Sequence, residues 1–460
     1  MEKYKQKVNQ ITEGVIWKQL LIFFFPLLLG TFFQQLYNTA DAVVVGRFVG
    51  KEALSAVGGT TGTLINLFVG FFVGVSTGAT VTISQFYGAK QGEDVDRTVH
   101  TAAAMSIAGG AIIMVIGLLG APTALRWMGT PEEVIPHSLT YIRIYFCGMI
   151  PNLFYNIGAG ILRAIGDSKR PLYFLITSTI MNIVLDLLFV AVLHWGVMGV
   201  AIATVLSQVC SAFLVFLTLN RTKDCYRLQL SKIRFHKELL KKIIRIGIPA
   251  GCQSLMYTSS NIIIQSGINS FGTDTMAAWT AYSKIDGIFW MIVNAFGISI
   301  TTFVGQNYGA GKTDRIRKGV RVCLLMCMSA AVLLSIAMYF GGPYVYYLFT
   351  EDETVRKIGI GILQFLVPTF FTYVPVEILS GSLRGMGNSL IPMILTSLGV
   401  CLLRVVWIFT VVPVWRELKV LILSYPIAWV MTSLLFIIYF IYYIRKHLPQ
   451  GGSNKGKALT

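Results

Sequence analysis

Apolar residues run along this chain in long stretches broken by short polar turns. Twelve stretches reach the length a bilayer needs, near residues 18–46, 53–86, 96–120, 136–162, 170–193, 197–219, 241–270, 275–307, 318–348, 355–383, 389–412 and 420–444. Each predicts a membrane-crossing helix, so the expected fold class is an all-α integral membrane protein with 12 transmembrane helices.

The pattern repeats at a shift of about 221 residues. Gln85-Phe-Tyr87-Gly88-Ala89 recurs as Gln306-Asn-Tyr308-Gly309-Ala310, Leu162-Arg163 with Gly166 recurs as Leu383-Arg384 with Gly387, and Pro26 matches Pro249. Six spans per repeat is an even number, so both halves face the same way. The expectation is two parallel six-helix lobes, residues 1–219 and 241–446, with a basic cytoplasmic linker at 220–240 and a cytoplasmic tail at 447–460. Two such lobes are a transporter architecture, in which access alternates by rocking; a channel built on the same plan is a minor alternative.

Composition agrees. Of 460 residues 55% are hydrophobic and 13% charged, with a mean hydropathy of +0.67. Soluble domains carry about 25% charged residues, so a soluble globular protein is excluded, and so is disorder. The net charge of +17 does not point to nucleic acid, because no basic patch interleaved with aromatics lies outside an apolar span. Lys and Arg gather instead at the N-terminus, the even-numbered connections and the C-terminus, nine of them between Arg221 and Arg245. The positive-inside rule then places both termini in the cytoplasm of a multi-pass cell (inner) membrane protein. Met1–Lys18 leads into an apolar stretch without a small-residue cleavage site, so the first span is expected to be retained. None of the seven cysteines forms a CxxC pair, and neither a disulfide framework nor a zinc site is suggested.

Enzyme motifs are missing. Gly305-Gln-Asn-Tyr-Gly-Ala-Gly311-Lys312-Thr313 imitates a P-loop, but Gln306 stands where glycine is needed and the segment follows an apolar helix. It reads as a short cytoplasmic turn. With no machinery for ATP hydrolysis, no nucleophile–base pair and no metal-ligand motif, the chain is expected to be no enzyme, to carry no cofactor, and to draw on an ion gradient.

Ionisable residues inside spans are costly and mark function by default. One group is Lys284, Asp286, Glu377 and Arg404 in the C-terminal half, two of each sign, expected to neutralise one another as a charge network with coupling or gating as the alternative; Arg143 lies towards the outer part of span four. The other group is Asp41 in span one and Asp186 in span five. Gln34, Tyr37 and Asp41 share a helical face, as do Asn182 with Asp186 and Asn152 with Asn156. The plainer reading of these stripes is hydrogen bonding between helices. The alternative is one cavity, because two buried carboxylates without a basic partner do not stay charged and dry. They must take up a cation such as Na+, for which their oxygens are hard ligands, or share a proton.

These residues resemble the multidrug and toxic compound extrusion (MATE) transporters. The likeness rests on Pro26…Gln34…Tyr37-Asn38…Asp41, the two Gly-Ala turns, the Leu-Arg segments and Asn182-x-x-x-Asp186, and spans 15–445. It implies export of organic, often cationic and aromatic, compounds in exchange for Na+ or H+. It is similar to the DinF-like branch, which implies Asp41, Asn182, Asp186 and Thr204 as cation ligands, with Gln34, Tyr37, Asn152 and Asn156 towards the substrate and Pro26 as a hinge. The acidic residue of span seven in the NorM-like branch is missing from Ser254–Asn261. Expected partners are small organic cations or toxins and the lipid bilayer, with the protein a monomer. A flippase for a lipid-linked substrate shares the architecture, although its pyrophosphate would call for a cationic cavity; a non-transporting sensor would not need buried unpaired acids.

Overall fold

The computed structural model describes residues 10–448. The terminal stretches, including most of the tail expected at 447–460, lie outside them. Ten helical stretches among the described residues are long and apolar enough to cross a membrane. In chain order we label the spans α1 (Ile16–Phe48), α2 (Ala53–Gly88), α3 (Gly92–Trp127), α4 (Ile135–Cys147 continued by Met149–Ala164), α5 (Lys169–Val192), α6 (Gly196–Arg221), α7 (Lys237–Asn269), α8 (Thr273–Gly309), α9 (Thr313–Tyr346), α10 (Glu353–Gly385), α11 (Leu390–Thr410) and α12 (Leu418–His447). This is the twelve-helix fold read from the hydropathy, and no strand occurs among the described residues.

Spans are interrupted where their sequence demands it. α4 breaks at Gly148, where a Cβ would lie 2.8 Å from Val205 Cγ2, so glycine lets α4 press against α6. Single π-helical segments widen α5 at Leu187–Val192 and α11 at Ser397–Leu402. Such bulges free carbonyls and redirect side chains, often at functional sites.

The repeat is visible in the turns. α2 ends with Gln91 N–H donating to Phe86 O at 3.0 Å, and α8 ends with Lys312 N–H donating to Asn307 O at 2.9 Å. The left-handed position of this turn is Lys90 (φ 60°) in one repeat and Gly311 (φ 69°) in the other, which is the usual way a helix closes its last carbonyls. The segment resembling a P-loop is this helix-ending turn. Leu162–Asp167 and Leu383–Asn388 form a second matched pair, with N–H···O distances of 2.9 and 3.0 Å.

The chain forms two compact units, Met1–Ser259 and Ser260–Thr460. They meet inside α7. Part of the reason is the close crossing of α7 on α2 within the first unit: a Cβ on Gly74 would sit 2.6 Å from Gly251 Cα. The stretch expected as a basic linker is also built into this unit. Cys225, Tyr226 and Leu228 are buried among Ala79, Ile83, Phe86, Val95 and Val99, and Leu228 N–H donates to Leu219 O at 2.9 Å. Burial of apolar side chains decides this placement over the basic residues around them, whose charges stay at the surface.

Candidate functional site

Three helices of the first unit turn polar stripes towards one point. On α1 the inward face after Pro26 is Tyr37, Asp41, Val44 and Val45, each three or four residues from Asp41, and Asp41 is 5% exposed. On α5 the buried face is Ser178, Asn182 and Asp186, the last two fully buried. On α6 it is Thr204, Ser207 and Ser211. The i, i+4 and i, i+3 spacings put each set on one side of its helix, and packing of α1 on α5 and α5 on α6 brings the sides together.

Thr204 Oγ1 donates to Asp41 Oδ2 at 3.4 Å. Asp186 and Asn182 adjoin Asp41, yet Asp41 Oδ1, both Asp186 carboxylate oxygens and the Asn182 amide are buried without a hydrogen-bond partner. No Lys, Arg or His nitrogen lies within 4.0 Å of either carboxylate among the described residues. Buried polar atoms are normally satisfied, and these oxygens are not. The donor set of carboxylate, amide and hydroxyl oxygens suits a hard ion.

Tyr37 belongs to the same place, its hydroxyl 3.2 Å from Ser207 Oγ. Sequence reasoning missed Ser207, and also Tyr141 of α4, which is 5% exposed and borders Asp41 and Thr204. Tyr145, stacked on Tyr141 at 6.1 Å, continues this wall towards Gln208. The signal was present as Thr204-x-x-Ser207-x-x-x-Ser211, a polar stripe in an otherwise apolar span. Gln34 is exposed on α1. Asn152 and Asn156 are bound to each other within α4, Asn156 Nδ2 donating to Asn152 O at 2.9 Å and Oδ1 at 3.1 Å, a bond inside one helix and not the bonding between helices named as their plainer reading. Arg143 is exposed.

The four charges of the C-terminal half do not neutralise one another, contrary to expectation. Glu377 pairs with Arg384 of its own helix at 3.1 Å. Asp286 Oδ2 accepts from Trp290 Nε1 at 2.6 Å. Arg404 donates to Val400 O at 2.5 Å and to Ser260 Oγ at 3.4 Å, while Lys284 is exposed. The reason is rotational: Lys284 and Asp286 are two positions apart on α8 and face different ways.

A family model, MatE, matches residues 26–188 and again 249–410, one match per repeat. Among curated relatives, the Probable multidrug resistance protein YoeA of Bacillus subtilis is 29% identical over 442 residues, covering 94% of this chain and 95% of that protein. The Probable multidrug resistance protein YpnP of the same organism is 28% identical, covering 86% and 89%. Among solved structures, a MATE in the bent conformation superposes with a TM-score of 0.90 at 23% identity, covering 96% of this chain and 98% of that one. An outward-facing multidrug resistance MATE transporter of the MOP superfamily gives 0.89 at 23%, covering 96% and 99%. With both repeats matched and the fold shared along nearly its whole length, the chain belongs to the MATE (MatE) family of multidrug efflux transporters, multi-pass membrane proteins and not enzymes.

Proposed function

We propose that this protein is a secondary antiporter that expels organic, often cationic and aromatic, compounds in exchange for Na+ or H+, with Asp41 and Asp186 as the coupling pair. The observation that carries the reading is the group of buried, unpartnered oxygens on Asp41, Asp186 and Asn182 beside the Thr204 hydroxyl. A bare pair of carboxylates in a low-dielectric setting is strongly unfavourable, so the site is stable only when it holds positive charge. That charge is supplied by the incoming ion or by the cargo, and the two compete. Tyr37, on the helical turn before Asp41, then lies on the cargo's side of this site.

Pro26 lies inside α1 and deprives it of one backbone hydrogen bond. Repacking of α1 around this point as the ion loads would shrink the cavity and expel the drug. MATE structures of the same fold have been solved in a bent and in a straight conformation. The basic connections favour cytoplasmic termini, so that the ion enters from outside and the cargo leaves.

Reconstituted protein loaded with ethidium tests this. A Na+ pulse and, separately, an inward pH step are applied, and dye efflux is followed. Efflux driven by one of the two gradients and abolished in Asp41→Asn is expected; efflux that ignores both gradients would overturn the reading.

A further inference from the structure

The connection between α6 and α7 is pinned along α3 at two points. His100 Nε2 accepts from Gln229 N–H at 3.1 Å, and Thr101 Oγ1 accepts from His236 N–H at 3.3 Å. His100 Nδ1 in turn donates to Asp96 O at 2.7 Å, which fixes the ring. Between the pins, Ile233 packs on the core that holds Cys225, Tyr226 and Leu228. The back of this segment is therefore held by the protein.

The sequence of α3 sets the level of the pins. Arg97 is its last Lys, Arg, Asp or Glu before Arg126, so its bilayer-crossing stretch begins next to Thr98. His100 and Thr101 lie in the first turn of that stretch. Whatever is pinned there runs at the edge of the hydrocarbon, among the headgroups.

The front of the segment is open and amphipathic. Leu230 is 67% exposed and Phe235 is 51% exposed. Leu230 begins the 3-10 turn Leu230–Lys232, and Phe235 precedes the second pin. Lys232 and Arg234, between them, are exposed too. Large apolar side chains facing outward beside cations, at headgroup depth, meet acyl chains rather than water.

Charge points the same way. Residues 221–245 carry nine Lys and Arg against two acids, Asp224 and Glu238. Among the described residues none of the nine lies within 4.0 Å of a carboxylate oxygen. Arg234 spends only its Nε, on His236. These cations are left for an external anion.

We propose that residues 230–235 form a membrane-docking loop for anionic phospholipid in the leaflet it adjoins. Lys232 and Arg234 pair with lipid phosphates, and Leu230 and Phe235 sink to the acyl boundary as two anchors. The pins at His100 and Thr101 hold the loop at that depth before any lipid arrives, so little ordering remains to be done on binding. The inference uses neither the coupling pair nor the cargo, and its test needs no transport.

Tryptic cleavage after Lys232 and Arg234 tests it, with the full chain in nanodiscs of phosphatidylcholine alone or with one quarter phosphatidylglycerol. Cleavage after Arg416, exposed in the turn before α12, is the reference for any general effect of lipid on the protease. Relative to that site, phosphatidylglycerol should slow cleavage of the loop at least roughly tenfold, since each cation at an anionic surface contributes about 1 kcal/mol. Equal relative rates in the two lipids overturn the proposal, and that comparison needs no variant to fold. Leu230→Ser with Phe235→Ser leaves both cleavage sites and every charge in place. It should return the rate in phosphatidylglycerol most of the way to that in phosphatidylcholine. Undiminished protection in this variant would mean adhesion by charge alone and would overturn the docking of the two anchors.

Discussion

Thr204 and Asp41, 163 residues apart in sequence, meet at 3.4 Å through the Thr204 hydroxyl. That contact ties α6 to α1 beside Asp186 and gives Asp41 its one hydrogen bond inside the cluster. Removing the hydroxyl takes away one oxygen of the proposed cation site. Thr204→Ala should weaken coupling-ion affinity by roughly tenfold, since a hydrogen bond to a charged group contributes about 1.5–3 kcal/mol. The half-saturating ion concentration for efflux is the measurement, and Thr204→Ser should restore it.

Asp186 is fully buried with both oxygens unpartnered. Asp186→Asn removes a charge at nearly constant volume, so folding should be kept or slightly improved while ion-driven efflux falls to background. Thermal denaturation in detergent and vesicle efflux, run on the same preparation, read the two effects separately.

The Glu377–Arg384 pair is mostly buried, its side chains 19% and 17% exposed. Breaking one partner of such a pair leaves the other charge uncompensated. Glu377→Gln should lower stability by about 2 kcal/mol. The double variant Glu377→Gln with Arg384→Met should recover part of the loss, and additive losses in denaturation would show that the pair does not interact.

His236, just before α7, fastens the buried connection to α3. Its backbone N–H donates to Thr101 Oγ1 at 3.3 Å and its Nδ1 lies 3.0 Å from the same oxygen, while Arg234 Nε donates to its Nε2 at 3.1 Å. Because the Thr101 hydroxyl donates to Arg97 O at 2.9 Å, the ring must give its Nδ1–H to Thr101 and accept at Nε2, which is the neutral form. Partial burial, then Arg234, Arg97 and His100, hold its pKa below the ordinary 6.5, with Asp96 opposing. A depressed histidine pKa means the unfolded state binds the proton more readily. The fastening is therefore complete above about pH 6.5 and weakens as pH falls below it. Hydrogen exchange at the amide of residue 236, corrected for its intrinsic pH dependence, should quicken between pH 7 and 5.5. His236→Gln should remove that dependence.

A side chain at Gly74 has no room beside Gly251. Gly74→Leu should pry α2 from α7 and reduce efflux several-fold, with thermal denaturation in detergent reporting the lost packing.

Much of this molecule follows from the order of its residues. Length of apolar run dictates helix wherever backbone groups must be satisfied without water, so the twelve spans were legible before any coordinates. The repeat was legible because Gly88-Ala89 and Gly309-Ala310 close their helices in the same way. Asp41, Asn182 and Asp186 stood out because a polar face in an apolar helix is rare. Three things waited for the tertiary structure. Ser207 and Tyr141 joined the site only when α6 packed against α1 and α4 against α6. The basic stretch after α6 proved to be partly core, because Cys225, Tyr226 and Leu228 find an apolar surface that no local pattern announces. The charges of the second unit declined to pair as their signs suggested. Sign and spacing are local properties; which charges meet depends on the rotation of each helix about its axis, and packing against its neighbours sets that rotation.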